Sequence, residues 1–309
     1  MKHRFITTII IFIIIILIVL WCFLKPENKY WVICCAFSLE YETLTKCFDR
    51  NPVPKEFIGS GIKYSIGKIK GLRCVICNVG ISIVNASRGS QFIIDLIGSK
   101  NILGMIFMGI GGSVNEDIID GDVVCPESWV YYGHQLYNNE DSSNNSELIK
   151  TLPIAYQPPF MCNSSNMTIL KTYQLTENGE ENYISQYHVD PDLYEISRSL
   201  DSRVKDHRIV KRDLSYFRTG GIGISAPIFQ ADSNYINYLR TVISKKLTIV
   251  DEETTAMAHS CSYYQIPWIG IRLVSDVEIG TNQNSSPQIY LERLRQTCIS
   301  WFEVVREYY

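Results

Sequence analysis

At 309 residues, with 46% hydrophobic and 20% charged side chains and a net charge of −3, the chain has an ordinary globular composition and room for one large α/β domain carrying an insertion. The near-neutral balance excludes a general electrostatic attraction to nucleic acid or anionic lipid, and short basic pairs such as Lys211-Arg212 read as solvated surface. Lys2, His3 and Arg4 precede an uncharged, Ile-saturated run from Phe5 to Leu24. About 20 apolar residues suffice to cross a bilayer as a helix. No small-residue cleavage site follows, since Trp21, Cys22 and Phe23 are bulky or apolar, so residues 1–28 are expected to form an uncleaved signal-anchor and its stem rather than a cleaved signal. Positive charge ahead of the run places the N-terminus in the cytosol and the rest in the lumen or outside. Sequons at Asn144, Asn163, Asn166 and Asn284 agree with that side, whereas the one at Asn85 falls in an apolar helix pattern and reads as accidental.

Residues 29–309 read as one domain. Tyr30–Phe37 is a buried strand and Leu39–Phe48 a helix. Ile62–Ile69 and Leu72–Val79 are strands joined by a tight Lys70-Gly71 turn. Ile83–Ile97 is helical, Gly104–Met108 a short strand, Gly109–Gly112 a flexible loop, and Val123-Val124 the start of another strand. From His134 to Asp190 the composition shifts to Asn, Ser, Pro and Tyr without a sustained period, the mark of an inserted excursion. A helix follows Asp190-Pro191, with Pro at a natural first-turn position. A strand spans Tyr216–Ile224, a helix starts at Asn234, and strand Leu247–Val250, helix Glu253–Tyr264, strand Trp268–Val274 and amphipathic helix Ile289–Tyr308 complete the chain. Strands alternating with helices imply an α/β fold.

The ten cysteines do not define a metal or redox site. Cys34, Cys35, Cys74, Cys77 and Cys125 lie in apolar strand patterns where buried free thiols are the rule. Cys74 and Cys77 match C-x-x-C but no second Cys/His pair has ligand spacing. Cys162, Cys261 and Cys298 are available for a lumenal disulfide whose pairing the spacing leaves open.

The chemistry concentrates in Val250–Asp276. A strand ends in three carboxylates, Asp251, Glu252 and Glu253, and a second apolar strand closes on Arg272, Ser275 and Asp276. A parallel sheet keeps its ligands at these carboxyl ends. Asp276, ending an apolar strand, is placed for partial desolvation and a raised pKa, as a general acid at neutral pH requires. Arg272 lies four residues earlier, roughly 13 Å away at about 3.3 Å per residue, so it is expected to support the site and to pair with Asp276 only if the strand bends. Glu253 begins a helix whose N-terminus favours its anionic form.

This order and spacing, V-[DE]-x-E-[SAT]-[AT]-A followed by a strand ending R-x-x-S-D, resembles the purine nucleoside phosphorylase / methylthioadenosine nucleosidase superfamily. Gly109-Ile110-Gly111-Gly112 with Gly121-Asp122-Val123-Val124, and Ser225-Ala226-Pro227-Ile228-Phe229, are similar to its ligand loop and base-stacking strand. Pro126, Trp129, Gly133, Asp190, Pro191 and Tyr194 are closest to its plant bark-storage-protein-like branch. The resemblance implies a three-layer α/β/α sandwich with a mixed central sheet and an activity on the N-glycosidic bond of a purine nucleoside, methylthioadenosine- or adenosine-like. It implies roles residue by residue: Asp276 as acid at the base, with Ser275 beside it; Glu253 holding the ribose diol, with Glu252 where a sugar-packing Met is usual; Glu40 orienting water; Phe229 stacking on the base, with Ser225 and Gln230 near it; and Gly109, Ile110, Gly111 and Gly112 lining the nucleophile. Ile110 replaces a serine and loses its hydroxyl. The arginines by which phosphorylases hold phosphate are missing, Phe107 occupying one of the positions, so water is the expected nucleophile. No cofactor or metal is implied. The expected partners are a nucleoside, a membrane through the N-terminal helix, and further copies of the chain. A non-catalytic binding or storage protein and a phosphate-dependent phosphorylase are the alternatives.

Overall fold

Strand β1 (Tyr30–Cys35) has every residue after the first buried, as befits a central strand covered on both faces. In the computed structural model, residues 29–50, 55–56, 61–137, 167–169, 171–175, 179–204, 217–227, 233–277 and 287–309 are described. The N-terminal apolar run, the sequons at Asn144, Asn163, Asn166 and Asn284, Cys162, Phe229 and Gln230 lie outside them. No helix among the described residues is long and apolar enough to cross a membrane.

After β1 come α1 (Ser38–Thr45), the short β2 (Lys55–Glu56), β3 (Lys63–Ile69) and β4 (Leu72–Asn78). β3 and β4 form the expected hairpin. Its turn residues Lys70 and Gly71 take φ 51° and 84°, the left-handed pair that suits a two-residue hairpin, and the Asp49 carboxylate accepts both their N–H groups at 2.9 and 2.8 Å. Helix α2 (Ser82–Ile97) then packs back on the sheet. A Cβ at Gly89 would come within 2.6 Å of Val79 Cα, so only glycine permits this approach. Asn85 sits in α2 with its amide donated to Ile81 O at 2.9 Å.

β5 (Ile102–Ser113) is the hub of the sheet. It is flanked by parallel β1 on one side and by parallel β16 (Trp268–Val277) on the other, and its last residues pair antiparallel with β15 (Leu247–Asp251). β6 (Val123–Cys125) and β7 (Ser128–Tyr131) follow. In the described part of the insertion, β8 (Gln135–Tyr137) pairs with β9 (Met167–Ile169) and β10 (Thr172–Leu175) with β11 (Glu181–Ile184), while β12 (Tyr187–His188) joins the main sheet beside β7. The remaining elements are α3 (Pro191–Val204), β13 (Phe217–Thr219), β14 (Ile222–Ser225), α4 (Ser233–Val242), α5 (Thr254–Tyr264) and α6 (Pro287–Tyr308). The order across the main sheet is β12-β7-β14-β15-β5-β1-β4-β3-β2, with β16 joined to β5 and β6, and β13 to β6. The expected α/β architecture with a mixed central sheet is therefore present.

Two local expectations need correction. Gly109–Gly112 is not a loop: it is the last third of β5, held in register by Arg272↔Gly109, Leu273↔Ile110, Val274↔Gly111 and Asp276↔Gly112. Glycine disfavours strands locally, but two paired neighbours supply the ladder that the residues themselves do not encode. The single strand expected over 216–224 is two strands, broken at Gly220 and Gly221, which take φ 102° and 76°. The main core joins both faces of the sheet: Trp31 meets Trp301 edge-to-face with ring centroids 5.8 Å apart, and Trp301 Nε1 donates to Ser197 Oγ at 3.0 Å. Each such buried aromatic adds about 1.5–3 kcal/mol of burial energy. Cys34, Cys35, Cys74, Cys77 and Cys125 are buried free thiols as expected; Cys261 and Cys298 are too, so neither is in a disulfide.

Candidate active site

The carboxyl ends of β1, β5, β15 and β16 meet where the sequence concentrates its charge. At their centre is Arg272, fully buried on β16. Its Nη2 lies 2.8 Å from Asp251 Oδ2 and 3.3 Å from Glu253 Oε2. Nε and Nη2 donate to Thr254 Oγ1 at 3.1 and 2.9 Å, and Nη1 to the carbonyl of Ile110 at 3.0 Å. The guanidinium carbon stands 4.1 Å over the Phe107 ring, a cation–π contact. A buried guanidinium needs its donors satisfied and its charge balanced; here both are met by the protein itself.

Asp251 organises the cluster, and the sequence reading assigned it no role. Its Oδ1 accepts from Ser225 Oγ at 2.6 Å and from the backbone N–H groups of Glu253 and Thr254 at 3.1 Å each. The Thr254 hydroxyl donates to Oδ2. Thr255 N donates to Ser225 Oγ at 3.2 Å. Asp251 and Ser225 thus satisfy the first free N–H groups of α5, the task of a cap. The hint in the sequence was an acid closing a strand buried at every position. The Ser225 hydroxyl, expected near the base, is fully buried and takes part in this bracing.

Glu253 occupies the N-cap position of α5 and makes no side-chain cap bond. Its Oε1 accepts from Ser82 N at 3.0 Å, and Arg272 holds Oε2. The helix end is not the dominant influence on its charge. Burial pushes its carboxyl up to about 7; Arg272 and the Ser82 N–H oppose that rise, while the neighbouring Asp251 and Glu40 charges add to it. Desolvation outweighs the helix-end field here because that field is small, about 0.3–1 kcal/mol.

Glu40, on the first turn of α1, is fully buried. Oε2 accepts from Ala36 N and Oε1 from Ile110 N, each at 2.7 Å. Burial raises its pKa, against the lowering by Arg272 and by these backbone donors. A Cβ at Gly109 would fall 2.5 Å from Glu40 Oε1 and 3.0 Å from Arg272 Nη1. Glycine at 109 is therefore what lets both charges reach the β5 backbone. The same strand brings Ile110 to both: its N–H serves Glu40 and its carbonyl serves Arg272.

Glu252 is half-buried and makes no hydrogen bond or ion pair among the described residues; burial and then Asp251 raise its pKa. Ser275 lies at a register shift between Val274 and Asp276, which seats Asp276 opposite Gly112. Such a bulge breaks the strict alternation of the strand at its ligand end. The structure thus brings together Glu40, Glu253, Arg272 and Gly109–Gly112, places the backbone of Asp276 beside them, and adds Asp251, Thr254 and Ser82. Arg272 pairs with Asp251 and Glu253. Phe229 and Gln230 lie outside the described residues.

The profile of the phosphorylase superfamily matches residues 30–301. No curated protein matches the chain. Among solved structures, a 5'-methylthioadenosine/S-adenosyl homocysteine nucleosidase of Helicobacter pylori is similar at 14% identity, over 91% of this chain and 99% of that one, with a TM-score of 0.62. The Neisseria meningitidis nucleosidase in complex with methylthio-immucillin-A is similar at 18% identity, over 90% and 99%, with a TM-score of 0.61. The S-adenosylhomocysteine nucleosidase of Streptococcus pyogenes is similar at 16% identity, over 89% and 96%, with a TM-score of 0.63. At these identities the likeness is one of fold.

Proposed function

The chain belongs to the phosphorylase superfamily, and from that premise we propose that it hydrolyses the N-glycosidic bond of a purine nucleoside, releasing the free base. The observation that carries this reading is the state of Arg272. It is the one cation in the described contacts of the cluster, and Asp251, Glu253, Thr254 and Ile110 O already engage it. Among the described residues, phosphate would arrive next to Glu40, Asp251 and Glu253 with Arg272 already engaged, which favours water as nucleophile. The same excess of carboxylate favours the cationic sugar that develops as the C–N bond breaks.

In this reading Asp276 gives a proton to the departing base, Glu253 accepts hydrogen bonds from the ribose hydroxyls, and Glu40 orients water against the face opposite the base. Phe229 stacks on the base with Ser275 and Gln230 at its edge. This division of labour among carboxylates in different environments is the general solution for glycosidic bonds. Methylthioadenosine- and adenosine-like nucleosides are the first substrates to test, since nucleosidases of the fold bind methylthio-immucillin-A and 5-methylthiotubericidin. Chromatography over a nucleoside panel should show base release in water with no gain from phosphate. Release that requires phosphate, or none from any nucleoside, overturns the proposal. A second reading, a nucleoside-binding protein without turnover such as a storage-protein-like member, draws on Ile110, which offers the nucleophile side no hydroxyl, and on Glu252, which has no partner among the described residues. It predicts calorimetric binding without base release.

The N-terminal apolar run and the sequons support a type II topology with the domain on the lumenal or extracellular side. Protein from eukaryotic cells should then shift in mobility after endoglycosidase treatment; glycan-free protein speaks against that topology.

A further inference from the structure

The turn that feeds α2 makes a contact that its sequence gives no reason to expect. Asn78 closes β4 and its Oδ1 accepts from Gly80 N at 3.2 Å; Gly80 takes φ 95°. Asn85, one turn into α2, donates to Ile81 O at 2.9 Å. Between these two braces Ser82 adopts φ 76°, a conformation that costs a serine energy and that persists only where the surroundings impose it. The result is that the Ser82 N–H points across to Glu253 Oε1 at 3.0 Å, 171 residues along the chain. Backbone strain of this kind clusters at sites where the surroundings over-determine it, and here it sets the geometry of a contact to Glu253.

We propose that Ser82 is a positioning residue: its left-handed backbone delivers the one N–H that fixes the free side of the Glu253 carboxylate, so that the carboxylate is oriented before any sugar arrives. Arg272 holds Oε2 and Ser82 holds Oε1, and with both oxygens anchored the side chain has a single orientation. Pre-organisation of this kind removes an ordering cost from binding. The groups facing Glu253 are Arg272 from β16, Asp251 from β15, Glu40 from α1 and the Ser82 amide from α2; Arg272 and the amide alone among them favour its charged form. The amide therefore also holds down the pH at which Glu253 becomes anionic. The proposal rests on the hydrolase reading only for its kinetic consequence.

Replacing the Ile81–Ser82 amide by an ester, through the α-hydroxy analogue of serine in the full chain, removes this N–H and weakens the Ile81 carbonyl that Asn85 engages; Asn85→Ala, which removes only the second bond, is the control and should leave the Glu253 titration where it was. The expected result is a rise of about one pH unit in the Glu253 carboxyl titration followed by carbon NMR, with the acid limb of kcat/KM moving by the same amount. Ser82→Gly keeps the N–H and relieves the backbone, so it should raise Tm by about 2 °C and leave the Glu253 titration where it was. In the unmodified chain, the Ser82 amide should exchange with solvent slowly above the Glu253 midpoint and faster below it. A Glu253 titration unmoved by the ester, or Ser82 exchange indifferent to Glu253 protonation, overturns the proposal. Because the titration and the exchange need no turnover, a protein that releases no base refutes the hydrolase and leaves the role of Ser82 to be decided on its own.

Discussion

Replacing Arg272 with methionine is expected to lower folding stability by about 3–5 kcal/mol, the cost of leaving buried charge without its partner. The side chain is fully enclosed and touches Asp251, Glu253, Thr254 and the Ile110 carbonyl. Methionine fills much of the volume over Phe107 but returns none of those bonds. The loss must depend on pH, and its sign follows from proton binding. Glu253 titrates near 7 in the folded chain, above its value of about 4.3 when unfolded. Between those values the native state binds more protons than the unfolded state, so stability falls as pH rises through the window. Arg272 restrains the upward shifts of both Glu253 and Glu40. Without it the two carboxyls titrate higher still, and the fall steepens. Urea denaturation at pH 5 and pH 8 should therefore show the gap between Arg272→Met and the parent narrowing at the lower pH. Equal gaps would mean that Arg272 acts through packing and not through charge.

Glu40→Gln is expected to reduce base release by about 10²–10⁴-fold, the range for a positioned proton-handling group. It should also cost about 1–3 kcal/mol of stability, the penalty of an unsatisfied buried polar group. Both carboxylate oxygens accept a backbone N–H, from Ala36 and from Ile110. Glutamine has one acceptor, so whichever way its amide turns, an NH₂ faces another N–H in a site closed to bulk solvent. Binding of a transition-state analogue should weaken much less than turnover if Glu40 serves the water and not the nucleoside. Parallel losses in kcat and in analogue affinity would assign Glu40 to bracing the ends of β1 and β5 alone.

Much of this was legible in the sequence because charge at the end of an apolar strand is conspicuous. The run from Val250 to Glu253, and the later Arg272 and Asp276, stand out against buried neighbours. Glu40 was legible only through resemblance, since by itself it is an unremarkable first-turn acid. Three features were hidden for physical reasons. The Gly109–Gly112 segment became strand because β15 and β16, more than a hundred residues away, supply its ladder. Asp251 was masked by its neighbours: three consecutive acids do not reveal which of them turns inward to cap α5. Ser82 was hidden because positive φ is signalled by glycine, and a serine forced there leaves no trace in composition.

The bracing of Asp251 also bears on how this chemistry can change over generations. Freeing Arg272 to grip an incoming anion requires the loss of Asp251, yet Asp251 also holds the start of α5 and the Ser225 hydroxyl. A lineage that moved from water to phosphate by this route would pass through a chain with a frayed helix and a guanidinium short of one carboxylate partner. Selection can cross such a valley only with compensating substitutions already in place, so under the hydrolase reading the choice of nucleophile would be held by architecture and not by any single side chain.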